Sequence, residues 1–139
     1  MVQIKQVNKE SIDVYWDKVK NWILKVVKQS NGRHTLNTTY ELLKKGTMTM
    51  FLIEEQNKLC AVYVVQKVYY PAKIVLGILF CGGNKVIENV KKIENFFINF
   101  AKENNCEDLE IVGRKGWDKV ITDNNLQFRK TGFFYEMAT

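Results

Sequence analysis

Apolar residues recur between positions 12 and 27 with a helical period. Ile12, Tyr15, Trp16, Val19, Trp22, Ile23, Val26 and Val27 return every three or four residues, which gathers them on one face. Ser11 stands ahead of this run as an N-cap, Asp13 lies in the first turn, and Asn31-Gly32 stops it. Before it, VQIKQV (2–7) sets Val2 and Ile4 against Gln3 and Lys5, which predicts a short strand that ends where Val7 breaks the alternation. Thr38 and Glu41 have the spacing of a capping box, predicting a short helix to Lys45 closed by Gly46. The period then changes. Residues 48–55, 59–70 and 73–81 are predicted strands separated by Gln56-Asn57-Lys58 and Pro71-Ala72, an antiparallel meander. The third, KIVLGILFC, is apolar almost throughout, which predicts a central strand covered on both faces. Gly82-Gly83-Asn84 ends it.

The helical period returns with Val86, Val90, Ile93, Phe96, Phe97, Phe100 and Ala101, until Asn104-Asn105. DLEIV (108–112) predicts a short strand and Trp117, Val120 and Ile121 a short helix. Asp123-Asn124-Asn125 reads as a turn, and LQFRKTGFFYEMA (126–138) as a closing strand with Gly132 as a bulge. The order is strand, helix, helix, three strands, helix, strand, helix, strand. It predicts an α/β fold with a mixed, mostly antiparallel sheet flanked by helices, and a parallel crossover over 73–112. No repeat or linker divides residues 1–139, so one domain is expected. The aromatic stripes at helical spacing are expected to be core.

Composition narrows the function only by exclusion. With 46% apolar and 26% charged residues in 139, the chain is no disordered tract, fibre or disulfide scaffold. Its 21 basic against 15 acidic residues give +6, a balance that attracts phosphates or nucleic acid. Of the 21 basic residues 18 are Lys, alongside 13 Asn and 11 Ile. That mix follows AT-rich coding, and the charges are scattered, so nucleic acid is not an expected partner. Cys60, Cys81 and Cys106 have no C-x-x-C spacing, and MVQIKQVNKE lacks a signal peptide's apolar core. Both lead to an expectation of a reducing cytoplasm. No apolar run reaches bilayer length, so no membrane is expected. With His34 alone and no Cys cluster, no metal site is expected.

The element order resembles that of the GNAT N-acetyltransferase superfamily. The stretch from Asn84 to Cys106 is similar to that family's long helix with its polar-Cys end, followed at once by a strand. Gly113-Arg114-Lys115-Gly116-Trp117 resembles a GR-x-GW stretch of small GNAT-like proteins encoded by tailed bacteriophages, where it also lies between the penultimate strand and the last helix. The resemblance implies acetyl-CoA as cofactor, and a small-molecule or protein amine as acceptor. The family holds the CoA pyrophosphate on backbone N–H groups leading into a helix, with the pattern Gln/Arg-x-x-Gly-x-Gly/Ala. Here the matching junction is Cys81-Gly82-Gly83-Asn84-Lys85, without the Arg/Gln and the second spaced Gly. It reads equally as a Gly-Gly turn with Asn84 as a helix cap. Arg114, after a strand C-terminus, adds a candidate phosphate ligand.

The catalytic groups are less complete. Strand 73–81 carries no carboxylate, so Glu54 and Glu55 are the nearest candidates for a general base, one of them facing the cleft. Helix 117–122 has no Tyr to act as acid; Tyr135 on the closing strand, and Tyr69 and Tyr70, are what remains. Trp117 reads as core. Cys81 as a nucleophile would need His34, so a small buried thiol is the simpler reading. His34 lies in the polar loop between the first two helices, which in a GNAT fold borders the acceptor cleft, and is expected to be solvated.

Three functions follow. A transferase requires an open V between 73–81 and 108–112, with free N–H groups from Gly82 to Lys85. A GNAT fold that has lost catalysis and serves bacteriophage assembly, the virion or a host contact, with a phage or host protein as partner, requires a closed cleft and an apolar patch around Trp16, Trp22 or Phe134. A nucleic-acid binder requires lysines gathered on one face.

Overall fold

The computed structural model describes residues 2–84, 89–111, 116–132 and 135–138. Five strands stand in chain order across one sheet: β1 (Val2–Val7), β2 (Met48–Glu55), β3 (Lys58–Tyr69), β4 (Ile74–Gly83) and β5 (Asp108–Ile111). The first four pair antiparallel, and β5 joins β4 parallel. Helices α1 (Ile12–Val27) and α2 (Leu36–Lys45) intervene between β1 and β2, α3 (Val90–Glu103) crosses from β4 to β5, and α4 (Gly116–Asp123) follows β5. This is the expected α/β class with a mixed sheet.

Strand alternation sorts the core into two layers. Phe51 and Ile53 of β2, Ala61, Tyr63 and Val65 of β3, and Leu76 and Ile78 of β4 meet Ile93, Phe97 and Ala101 of α3. Met50 and Leu52, Val62 and Val64, and Phe80 meet Val19 and Ile23 of α1 and Leu43 of α2. Val2 joins the first layer and Val7 the second. Val7 therefore breaks the alternation of β1 because it turns to the other layer.

Several local expectations are corrected. Ser11 ends a 3-10 turn and makes no side-chain cap on α1. The capping box of α2 is Thr35 with Thr38: the Thr35 side chain accepts from the Thr38 N–H at 3.0 Å, and the Thr35 N–H donates to Thr38 Oγ1 at 3.0 Å. The helix thus starts a turn before the Thr38–Glu41 reading, while Gly46 closes it in the left-handed region as expected (φ 83°). Asn84 caps no helix among the described residues; the N-cap of α3 is Asn89, itself left-handed.

The closing strand is absent from the described residues of 126–138. Its first donors are spent elsewhere: the Leu126 N–H on Ile121 O at 3.0 Å, and the Gln127 N–H on Glu94 Oε2 at 2.9 Å. Glu94 is the one buried carboxylate among the described residues, and Lys91 Nζ holds its other oxygen at 3.0 Å. The tail is tied to α3, not laid along a strand. Further on, Glu136 pairs with Arg33 in the α1–α2 loop.

Candidate functional site

The site is built around the C-terminal half of β4. β4 pairs with β5 only over Val75–Ile78, matched to Asp108–Ile111. It then runs on from Leu79 to Gly83 against β3 alone, with no described partner on its β5 side. Just beyond these pairs the register with β3 jumps from Val65↔Ile78 to Val64↔Phe80, leaving Leu79 as an extra residue. A bulge bends its strand and raises the local twist. Here it also resets the facing: Leu79 and Phe80 both pack toward α1 and α2, and Cys81 returns to the α3 side. This is why β4 shows no clean alternation in sequence.

The two glycines are strand, not turn, and each answers a close approach. A Cβ on Gly82 would lie 3.2 Å from Trp22 Cβ and 3.2 Å from Trp22 O, so its absence lets α1 sit directly on β4. Gly83 has φ +123°, and a Cβ there would lie 2.5 Å from the Cys60 carbonyl oxygen. Cys60 is the extra residue of a second bulge, between the pairs Ile53↔Ala61 and Glu54↔Leu59. Its carbonyl accepts the Asn84 N–H at 2.8 Å. The Asn84 amide is therefore committed to β3, contrary to the expectation of free N–H groups throughout this junction. Lys85 and Arg114 lie outside the described residues, as does Phe134.

α3 begins beyond this junction. Asn89 supplies no side-chain cap, and the first turn holds no acidic residue but does hold Lys91 and Lys92. Cations at the positive end of a helix dipole are unfavourable by themselves and suit an anion placed there.

Two side chains that sequence reasoning undervalued stand against 79–83. The His34 ring packs edge-on to Phe80 with centroids 5.0 Å apart. Ser30 Oγ brackets its backbone, accepting from His34 N at 3.1 Å and donating to His34 O at 3.2 Å. Burial, and then the Arg33 charge, hold its pKa below 6.5, so the expected solvated histidine is a half-buried, neutral one. The unfolded chain then takes up a proton before the folded chain does. The His34 contribution to stability is complete above pH 6.5 and is lost as pH falls toward the lower folded pKa. An NMR titration of the ring is expected to give a midpoint below 6.5, and His34→Gln to flatten the fall in urea midpoint between pH 7.5 and 5.5; a midpoint at or above 6.5 contradicts this.

The second is Tyr63, 2% exposed, the register partner of Cys81. Its hydroxyl is buried with no hydrogen-bond partner. Burial, and then Cys81, push its pKa far up. Its trace in sequence is a lone tyrosine among the small and aliphatic residues of 59–65.

The catalytic candidates are not brought together. Glu54 ends β2 opposite Gln3 and Leu59, with all of β3 between it and β4. Tyr135 is 90% exposed on the tail, next to the Glu136 that pairs with Arg33. Tyr70, just past the far end of β3, donates to Glu110 at 3.0 Å. Trp16 and Trp22 are partly buried against the α1 layer and form no exposed patch. A concavity of about 470 Å³ lined by Gly46, Gln66, Lys67 and Phe100 lies at the opposite end of the sheet from Gly83.

No family model and no curated protein matches the chain. Solved structures do. A predicted acetyltransferase with acetyl-CoA from Clostridium acetobutylicum superposes with a TM-score of 0.67 at 14% identity, covering 99% of this chain and 96% of that one. An aminoglycoside acetyltransferase from an uncultured soil metagenomic sample, in complex with sisomicin, gives 0.65 at 14% identity over 99% and 97%. An aminoglycoside N-acetyltransferase in complex with CoA gives 0.67 at 11% identity over 100% and 96%. The fold is that of the GNAT acetyltransferases.

Proposed function

We propose that this protein transfers an acetyl group from acetyl-CoA to an amine. The observation that carries the reading is the bulge at Leu79, beyond which β4 runs on to Gly83 with no described partner on its β5 side. An extended ligand arm with amide groups can hydrogen-bond to such a stretch as an added strand would. Acetyl-CoA supplies an activated acyl thioester on an arm of that kind, ending in phosphates. In this reading Cys81, Gly82, Gly83 and Asn84 line the arm. Lys85, Arg114 and the uncapped start of α3 take the phosphates, where charge and dipole add. His34, neutral at pH 7, faces the amine from the α1–α2 loop and accepts its proton. Glu54 is too far across the sheet for that task, and Tyr135 is kept near the acceptor side by the Arg33–Glu136 pair. The three neighbours, one with acetyl-CoA, one with CoA and one with sisomicin, support the same reading. Among the described residues no helix is long and apolar enough to cross a membrane.

The test is a thermal shift with acetyl-CoA, CoA and ATP. Ligand at 100 times its dissociation constant adds about 2.7 kcal/mol, a rise of several degrees for a domain of this size. Both CoA forms are expected to raise Tm, with ATP inert. No shift at millimolar acetyl-CoA overturns the reading and leaves the fold without its chemistry, as in a bacteriophage assembly or host-contact protein.

A further inference from the structure

The Tyr63 hydroxyl is an anomaly in the free protein. Buried polar groups find partners, and one left without costs the fold stability. Phenylalanine fills the same space at no such cost, and this chain uses Phe51, Phe96, Phe97 and Phe100 in the same layer. The hydroxyl does not lie at random. Tyr63 pairs across the sheet with Cys81, on the part of β4 beyond its described pairs with β5. Cys81 is the titratable group that acts on it, and the Tyr63 ring rests on Phe97 of α3 with centroids 5.4 Å apart.

We propose that the Tyr63 hydroxyl is a donor reserved for the acyl carbonyl oxygen of a thioester seated along β4 beside Cys81. The proposal rests on the acetyl-CoA reading above. The surroundings select the acceptor. A phosphate or carboxylate would lose its hydration against Phe97 and Cys81 at a cost no single neutral hydrogen bond repays. A neutral carbonyl oxygen has little hydration to lose and gains one bond. The hydroxyl acts by hydrogen bonding alone, with no proton transferred. Burial holds the phenol protonated far above neutral pH, so it would surrender its proton to a departing thiolate only uphill.

The consequence is an opposition between stability and binding that a structural tyrosine does not show. In Tyr63→Phe the ligand-free protein is expected to melt a few degrees higher than wild type. Isothermal titration is expected to show acetyl-CoA binding weakened three- to ten-fold, about the worth of one neutral hydrogen bond. CoA, which lacks the acyl carbonyl, is expected to bind within two-fold of wild type. A lower Tm in the ligand-free variant overturns the proposal by revealing a structural partner for the hydroxyl. Unchanged acetyl-CoA affinity, or equal weakening of both ligands, overturns it by removing the acyl oxygen from the contact. Failure of wild-type protein to bind either ligand overturns the parent reading and the proposal with it; wild-type binding combined with an unaltered variant overturns the proposal alone.

Discussion

Gly83→Ala is expected to destabilise the protein by about 3–5 kcal/mol, a large fraction of the roughly 5–15 kcal/mol that holds a typical domain folded. Two effects add. The backbone at Gly83 has φ +123°, a region that L residues enter at a cost of about 1–3 kcal/mol. The new methyl would also lie 2.5 Å from the Cys60 carbonyl oxygen and 2.7 Å from Ala61 Cα, contacts only backbone movement can relieve. That movement would have to undo the Cys60 bulge, and with it the 2.8 Å bond from the Asn84 N–H. Gly82→Ala is the internal comparison. Its methyl meets Trp22 Cβ and O at 3.2 Å without a positive φ, so the helix can give by a few tenths of an ångström and the loss is expected to be about 1–2 kcal/mol. Urea unfolding of both variants checks the ranking, and a Gly83→Ala loss below about 1 kcal/mol contradicts the account. The fold and the proposed CoA edge thus depend on the same residue.

That dependence shows why the fold was legible in the sequence and the site was not. The helices announce themselves through local repetition: the stripe from Ile12 to Val27 and that from Val90 to Ala101 each bury one face, and no distant residue alters the pattern. The strands of the meander are equally local. The site depends on two bulges, at Cys60 and Leu79, each a mismatch between two strands that neither strand records alone. Leu79 is one more aliphatic residue in an apolar run, and Gly82-Gly83 has the composition of a turn whether or not it is strand. The tail failed for a related reason. Its alternation suits a strand, but Glu94, 33 residues away, claims the Gln127 amide. His34 was visible as the single imidazole, while its burial against Phe80 depends on the α1–α2 loop folding back over the bulge.

Phe97→Ala is expected to cost about 3–5 kcal/mol, the usual range for removing a fully buried phenylalanine. Phe97 is 0% exposed and meets Phe51 edge-on at 5.2 Å, Phe96 at 5.3 Å and Tyr63 at 5.4 Å. Each aromatic pair adds about 0.5–1.5 kcal/mol beyond area burial, and rings on both the sheet and α3 cannot close the gap without moving the helix. α3 is the crossover that carries the chain from β4 to β5, so the loss falls on the element that joins these two strands. Urea unfolding is expected to show a lower midpoint with an unchanged slope. The double variant with Tyr63→Phe decides whether the cavity reaches the hydroxyl. If the space left by Phe97 lets water or a shifted side chain satisfy the Tyr63 O–H, the gain from removing that hydroxyl disappears in the Phe97→Ala background, a non-additivity of at least about 0.5 kcal/mol. Strict additivity would mean that the hydroxyl points away from α3, toward Cys81, where the thioester oxygen is proposed to meet it.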